Sequence, residues 1–569
     1  MKKKLLDIFD ILDDKQKKNF FLISFYKFIE ALLEIISIGA IYPLLYMIFN
    51  DDLDIFKKQS IININDKDDL FIFVLISLMI IFFIKAIFFI FTSYKSNFFL
   101  VNLTKSLQIK LLNKYLNQNY LFFLREKKDK LLNDIITETV HFSKSQLQPL
   151  YVLFNEGIKL ILIFFLIFSL NPLYTIISLV FFFPIIFFFI KKLKIKLKIL
   201  GELRQSNSEK MIEFANKGFN SIREILIFNI EKLFSKKFNQ YCKSNNLTSF
   251  QNSLWNEIPK ILLEFLVVFY ILSVFTLTLI LSFTSIEESF VFLSFLSISF
   301  IRLLPSTNRI IKSVQDLSFY SNVTKILNKS LKLKNESDNP KEEKQKISFK
   351  NLKFKEVDFS FNKKKVFKNV SFNIKNNQIY GVTGASGSGK TTLFNLLIGF
   401  LEPRKGKILI NGEDLKIYKK RWLNSLCYIP QDLYLWEDTI EKNITLSEEK
   451  SDSMRLKKSV IGSKLNSLIN SYSNKFKYVV KNAGVNLSGG QRQRIGIARS
   501  LYLNRDIVFF DETTNALDKE TEASILGELR NNLKNKTVFI ISHNKNLNKY
   551  VDKLITIKDQ NITIKNARY

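Results

Sequence analysis

Apolar residues gather in the first 304 positions of this chain, in runs too long for an ordinary buried helix or strand. Such runs lie at about 20–49, 70–94, 151–170, 172–190, 260–283 and 286–304. Crossing a hydrocarbon core about 30 Å thick takes ~20 mostly apolar residues, so the runs predict six membrane-spanning helices. Within Leu70–Tyr94 the one charge is Lys85. Asn171-Pro172 is a turn signal that splits one apolar stretch into a tight hairpin. Segments 95–150 and 191–257 show helical periodicity with polar faces. Helices two to five are therefore expected to continue beyond the membrane as stalks, twenty extra residues reaching about 30 Å. Asn117–Phe123 and Lys217–Glu224 are the expected bends, though the same residues also suit ordinary helix–helix turns. From 330 onward the pattern changes to that of a soluble α/β domain. The charged, apolar-poor stretch 330–346 reads as a linker, which divides the chain into a membrane domain, 1–329, and a second domain, 347–569.

Charge orients the bundle. The first 18 residues, segment 95–150 and segment 191–257 are rich in Lys and Arg, whereas loop 50–69 carries Asp51, Asp52, Asp54, Asp66, Asp68 and Asp69 against Lys57, Lys58 and Lys67. Basic segments stay in the cytosol, so both termini are expected inside and the acidic loop outside. The net charge of +32 over 569 residues would ordinarily point to nucleic acid or an anionic surface. Lys, Asn, Ile and Phe are abundant together, however, as in biased coding, and no nucleic-acid partner is expected. Cys242 and Cys427 fall in segments assigned to the cytosol, so no disulfide framework is implied. The basic start meets no apolar core before Phe20 and no small-residue cleavage site follows, so no removed signal peptide is read.

The chemistry lies in four ordered elements of the second domain. Gly384-Ala385-Ser386-Gly387-Ser388-Gly389-Lys390-Thr391, followed by Thr392, has the spacing of a phosphate-binding loop. In such a loop glycines turn successive N–H groups onto nucleotide phosphates, Lys390 reaches the β/γ-phosphates and the Thr391 hydroxyl sits on Mg²⁺. Then come Leu487-Ser-Gly-Gly-Gln491, Ile507-Val-Phe-Phe-Asp511-Glu512, and His543 after the strand-like Thr537–Ser542. Asp511 ends an apolar strand, which brings its carboxylate to the sheet edge where Mg²⁺ is held through water. Glu512 is expected to orient and polarise the attacking water. ATP and Mg²⁺ are the expected ligands. His141 has no such context and reads as a solvated stalk residue.

With these motifs in order, the whole chain resembles an ATP-binding-cassette exporter of the fused half-transporter kind. The implied fold is an α-helical membrane domain, six transmembrane helices with long cytosolic extensions, joined to an α/β P-loop ATPase. The resemblance implies that Phe361 stacks on adenine, although a structural strand aromatic is the alternative. It makes Gln431 a ligand of Mg²⁺ and of the attacking water, and His543 a contact of the γ-phosphate. Ser488, Gly489 and Gly490 open a helix whose N-terminus suits an anion; by resemblance that anion is the γ-phosphate held by a second copy. A homodimer joined through both domains and carrying two composite sites follows, with Asn515–Asp518 at the interface. The chain lacks the glutamate usual before the signature and the arginine usual after the histidine.

Cations inside a span are costly, so each suggests function. Lys85 lies about 22 Å down helix two and Arg302 about 24 Å down helix six; Lys260 and Arg309 stand near the same inner-leaflet level. These four would form a ring for a phosphate or pyrophosphate headgroup. Alternatively Lys260 and Arg309 snorkel, and Glu30, Glu34, Glu156 and Glu264 neutralise the cations. Phe300–Leu317, Glu257-Ile-Pro-Lys260 and Lys85-Ala86 resemble segments of bacterial lipid-linked oligosaccharide flippases, which implies a cytoplasmic membrane and a polyprenyl-pyrophosphate-linked glycan or related lipid as cargo. Export of peptides or hydrophobic drugs, and an ATP-gated channel or sensor, are the competing functions.

Overall fold

The computed structural model describes residues 2–41, 44, 67–170, 172–281, 286–334, 346–361, 364–481, 484–514, 518–542 and 547–567. Two compact units form: residues 1–118 with 125–335, and residues 119–124 with 336–569.

The first unit is helical. Its main elements are α1 (Asp14–Gly39), α2 (Lys67–Leu116), α3 (Gln148–Leu170), α4 (Pro172–Asn220), α5 (Glu231–Leu281), α6 (Ile286–Phe319) and α7 (Ser321–Leu331). With 50, 49 and 51 residues, α2, α4 and α5 are each about 75 Å long at 1.5 Å per residue, over twice the hydrocarbon thickness. Each runs without a break from its apolar run into its polar stretch. Phe71–Leu116, Lys128–Ser169, Thr175–Asn220 and Glu231–Thr276 are, among the described residues, long and apolar enough to cross a membrane. Helices α1 and α6 adjoin undescribed residues, and most of the acidic loop 50–69, like Asn171, lies outside the description. Both expected bends are short helices, Tyr120–Arg125 and Ile222–Ile227.

Local chemistry explains how the helices fit. Gly201 on α4 packs against the Phe319 carbonyl so closely that a Cβ would stand 1.7 Å from its oxygen; only glycine permits this approach. Pro259 lies inside α5 and, lacking an N–H, leaves the carbonyl four residues earlier without its helical donor. That carbonyl belongs to Trp255, and the Gln315 side-chain amide of α6 donates to it at 2.6 Å. A backbone defect in one helix thus becomes a link to another.

The chain ahead of α3 is irregular. Two π-helical stretches, Asp134–Glu138 and Phe142–Leu147, flank a single α-turn, each winding wider than an α-helix. They face inward a set of polar side chains that a simple amphipathic helix would not bury: Asn133, Asp134, Glu138, Thr139, Ser143 and Gln146. Arg204 of α4 meets both oxygens of the fully buried Glu138 at 3.3 Å, and its guanidinium lies over the Tyr320 ring. His141, expected in solvent, instead stacks on Tyr320 with centroids 4.5 Å apart. Burial, reinforced by the Arg204 charge, lowers its pKa to about 4. The reading failed because a π-turn rotates the helix away from 3.6 periodicity.

The second unit contains two sheets. Strands β1 (Asn351–Phe361), β2 (Lys364–Lys375), β3 (Ile379–Gly384), β4 (Lys405–Ile410), β5 (Glu413–Asp414), β6 (Leu426–Ile429), β7 (Ile507–Asp511), β8 (Thr537–Ile541), β9 (Lys553–Lys558) and β10 (Asn561–Asn566) alternate with helices that include α8 (Lys390–Ile398), α9 (Gly489–Leu503) and α10 (Lys519–Asn532). The smaller sheet has order β2-β1-β4-β5 and the larger β10-β9-β3-β8-β7-β6. Strands β6, β7, β8, β3 and β9 run parallel. Parallel strands are covered on both faces and need continuous apolar sequence; every residue of β7 and β8 is buried. The stretch 119–124 folds with this unit: Tyr120 stacks on Phe400 at 5.0 Å and Leu121 packs on the core around Phe394 and Trp422.

Asp134 yields a pH test. It lies well outside the expected span 151–170, and burial raises its carboxyl to about 7, a hydrogen bond from Tyr115 opposing the shift. A raised folded pKa means stability that is full below the unfolded value near 3.8 and is lost as pH climbs through about 7. Asp134→Asn should therefore melt above the native protein at pH 8, the gap closing toward pH 5, read by thermal scans across pH. A gap independent of pH would show that Asp134 stays ionised.

Candidate functional site

The phosphate-loop sequence joins β3 to α8. Gly387 and Gly389 take left-handed φ values of +76° and +107°, backbone that L side chains rarely adopt. Space around the Gly387 Cβ position is open, whereas a Cβ on Gly389 would meet Val366 at 2.9 Å. Ala385, Ser386 and Gly387 are exposed and Lys390 is half-buried. The Lys390 ammonium donates to the carbonyls of Gly384 (3.0 Å) and Ala385 (3.4 Å) and makes no ion pair among the described residues. Ser388 Oγ is buried without a partner there. An unneutralised ammonium, a buried hydroxyl lacking a partner and glycines that leave the loop face open together fit a polyphosphate. Thr391 and Thr392 open α8 beside the loop.

Parallel strands end on the same side, and that brings the remaining groups together. Asp511 ends β7, and the Tyr428 hydroxyl of neighbouring β6 donates to its Oδ2 at 3.0 Å. Burial raises the Asp511 pKa; the Tyr428 hydrogen bond opposes the shift and the Glu512 charge adds to it. The next residue, Glu512, has φ +51°. Its backbone N–H is held by the Ile541 carbonyl at 3.0 Å, and its Oε2 accepts from Gln431 Nε2 at 2.9 Å. Gln431, Asp511 and Glu512 therefore form one hydrogen-bonded edge beyond β6 and β7. His543 lies outside the described residues; Ser542 before it donates to Glu522 (3.2 Å), as does Thr514 (2.7 Å). Sequence reading passed over Tyr428 and Glu522 as positioning residues. Tyr428 stands three residues before Gln431, while nothing in its sequence sets Glu522 apart.

Ser488 caps α9. Its hydroxyl accepts from Gln491 N–H, and the Gln491 side chain accepts from Ser488 N–H at 2.8 Å, a reciprocal box that leaves the Gly489 and Gly490 amides at the open helix end. Asp518 caps α10 through Thr521 N–H; Asn515 to Leu517 are outside the description. Phe361 ends β1, 42% exposed and edge-on to Phe359 at 5.0 Å.

In the helical unit two of the four predicted cations, Lys85 and Arg309, meet carboxylates. Lys85 lies 3.7 Å from Glu34 and donates to Ser37 at 3.2 Å; Arg309 lies 3.3 Å from Glu156. Both belong to a larger cluster centred on Lys159, which is 2% exposed and reaches Glu34 (2.6 Å), Glu30 (3.6 Å) and Glu156 (3.7 Å). Lys27 binds Glu30 at 2.6 Å. Among the described residues, four cations thus face three carboxylates. Lys27 and Lys159 escaped the sequence reading although both fall inside expected spans. Lys260 is exposed beside a polar cavity with Arg309. The Arg302 side chain lies outside those described.

Residues 28–303 match the model of the ABC transporter transmembrane region, and residues 367–515 match the ABC transporter model that covers the phosphate loop. Across 96% of this chain and 94% of the other, the fold superposes on a bacterial Atm1-family ABC exporter with ATP bound, at TM-score 0.80 and 16% identity. Curated relatives match over shorter stretches. ABC transporter B family member 14 of Arabidopsis thaliana is 36% identical over 34% of this chain and 16% of its own length. A leukotoxin translocation ATP-binding protein of Mannheimia glucosida is 36% identical over 37% and 30%. An ATP-dependent lipid A-core flippase of Desulfotalea psychrophila is 31% identical over 36% of each. The chain thus aligns with 16 to 36% of these relatives' lengths.

The cluster around Lys159 sets a stability prediction. Removing one partner of a buried ion pair costs about 3–5 kcal/mol, because the other charge is left uncompensated. Lys159→Met should lower the melting temperature of the purified protein sharply, and adding Glu34→Gln should recover part of the loss. Equal melting of wild type and Lys159→Met would mean the cluster is hydrated.

Proposed function

Because the chain belongs to the ABC transporter family, with the membrane region and the ATP-binding domain on one polypeptide, we propose that it is an ATP-driven exporter or flippase. What supports this reading is the convergence of Lys390, Gln431, Asp511 and Glu512 at the ends of β3, β6 and β7, on a chain whose other unit is built of long apolar helices. Lys390 and the loop amides bind the phosphates of ATP, and Phe361 offers its exposed ring to adenine. Thr391, Gln431 and Asp511 would hold Mg²⁺, which would neutralise charge on the phosphates. Glu512 orients and polarises the attacking water, with Gln431 steering its carboxylate; positioning and charge stabilisation do most of the work in phosphoryl transfer. His543 contacts the γ-phosphate. A second copy supplies Ser488 and the Gly489 and Gly490 amides, so the working form is a homodimer with two composite sites. It resides in a bacterial cytoplasmic membrane, with both termini in the cytosol.

The substrate we propose is a polyprenyl-pyrophosphate-linked glycan or related lipid. The lipid A-core flippase among the relatives supports a lipid cargo. The intramembrane cluster supports an anionic one: among the described residues four cations face three carboxylates, a balance that suits an anionic headgroup. Lys85 and Arg302 are assigned to that headgroup, with Lys260 and Arg309 beside them.

Glu512→Gln keeps shape and hydrogen bonding but removes the charge that polarises water. Steady-state hydrolysis in nanodiscs should fall below about a tenth of wild type while ATP binding persists; higher retained turnover would move the role to another residue. Replacing Lys85 and Arg302 together by Leu should abolish flipping of a pyrophosphate-linked lipid in proteoliposomes, with hydrolysis measured in parallel to detect misfolding. Flipping at the wild-type rate would overturn the headgroup assignment.

A further inference from the structure

Two cavities of opposite character share a wall in the helical unit. One, of about 210 Å³, lies among α3, α4, α5 and α6, lined by side chains that include Leu160, Phe164, Phe182, Leu263, Phe300 and Ile311. Its Thr307 hydroxyl is satisfied by the Leu303 carbonyl at 2.9 Å, so nothing in the lining calls for water. Apolar cavities of about 150 Å³ stay dry and take up hydrocarbon guests. The other, of about 280 Å³, lies between α5 and α6 and is lined by Asn256, Glu257, Lys260, Asn308, Arg309 and Lys312. Ile311 borders both.

The polar cavity is built for an anion. Three cations line it against one carboxylate, Glu257. Arg309 reaches Glu156 on α3, but Lys260 and Lys312 make no ion pair among the described residues. Asn256 Oδ1, buried without a partner there, is an acceptor; it suits a hydroxyl of a headgroup and not the anion itself. On α5, Lys260 precedes Leu263 by about one helical turn; on α6, Asn308 follows Leu304 by about one turn. Both helices thus set the cationic cavity on the cytosolic side and the apolar one toward the membrane middle, the orientation of a lipid in the inner leaflet. Inorganic phosphate would leave the apolar cavity empty, and a neutral lipid would leave Lys260 and Lys312 unmatched.

We infer that α5 and α6 hold a phosphate-bearing lipid, its phosphate among Lys260, Arg309 and Lys312 and a hydrocarbon chain in the cavity beside Leu263 and Phe164. This deepens the reading above, on which it rests for the side of the membrane; it adds a seat for the chain and a role for Lys312.

The test uses the full-length protein released from neutral detergent and native mass spectrometry with three probes. These are oleoyl-lysophosphatidic acid, mono-oleoylglycerol and glycerol 3-phosphate. The first should bind at least tenfold more tightly than either other, since only it satisfies both cavities. Lys312→Ala should weaken it at least fivefold, and Lys312→Arg should restore it. Leu263→Trp, which fills the apolar cavity, should weaken it similarly; if that variant elutes aggregated, Phe164→Ala replaces it and should favour a chain with added methyl branches. Equal binding of mono-oleoylglycerol, equal binding of glycerol 3-phosphate, or wild-type binding by Lys312→Ala would each overturn the proposal. Lipid binding as expected without ATP-dependent flipping in proteoliposomes would instead overturn the transport reading and leave this site standing.

Discussion

An ammonium group cut off from water persists as a charge only where carboxylates replace its hydration, and Lys159 imposes that condition on the helical unit. Three glutamates from α1 and α3 surround it, and each is shared with a further cation: Lys27 on α1, Lys85 on α2 and Arg309 on α6. Apolar helices slide past one another with little preference for register, because lipid is as apolar as they are. Ion pairs are directional and expensive to leave half-made. The cluster therefore fixes which turns of four helices face each other, something their leucines and phenylalanines do not specify. Close approach supplies the rest of the fit, at Gly201 against Phe319 and at the Trp255 carbonyl freed by Pro259.

The second unit meets a related constraint by topology. Parallel strands deliver their last residues to one edge, so groups distant in sequence arrive as neighbours without any local signal joining them. Tyr428, Gln431, Asp511 and Glu512 share that edge because β6 and β7 are adjacent and aligned. Burying Asp511 raises its carboxyl, and the phenol of Tyr428, itself held protonated by burial and by the neighbouring carboxylate, steadies it. Such an arrangement keeps the carboxylate ordered yet eager for a stronger cation.

Legibility in the sequence followed the range of the physics. The phosphate loop and the strand ending at Asp511 are local patterns, and both were readable; so were the long helices, since hydropathy and stalk periodicity are properties of consecutive residues. Pairing was not. Lys85 and Arg309 could be named as intramembrane cations, but their attachment to Glu34 and Glu156 depends on helix rotation. Lys159 stands in an apolar run much as Lys85 does, and nothing local marks it as the meeting point of three carboxylates from two helices. His141 was misplaced because π-turns change the period on which faces are counted, and Glu522 was invisible because its role depends on two loops converging from elsewhere.

Glu512 carries one more consequence. At φ +51° it occupies backbone territory that suits glycine and strains a side chain, a cost of order 1–3 kcal/mol borne by the surrounding structure. Folding alone would favour glycine or asparagine there; chemistry alone favours the carboxylate. The position is thus under tension between inheritance of a stable fold and inheritance of a working one. In any lineage where turnover ceased to matter, drift would be drawn downhill at this residue early, while Asp511 and the glycines of the phosphate loop would face no comparable pull. The identity of residue 512 across descendants would then record whether the protein is still being selected as an engine.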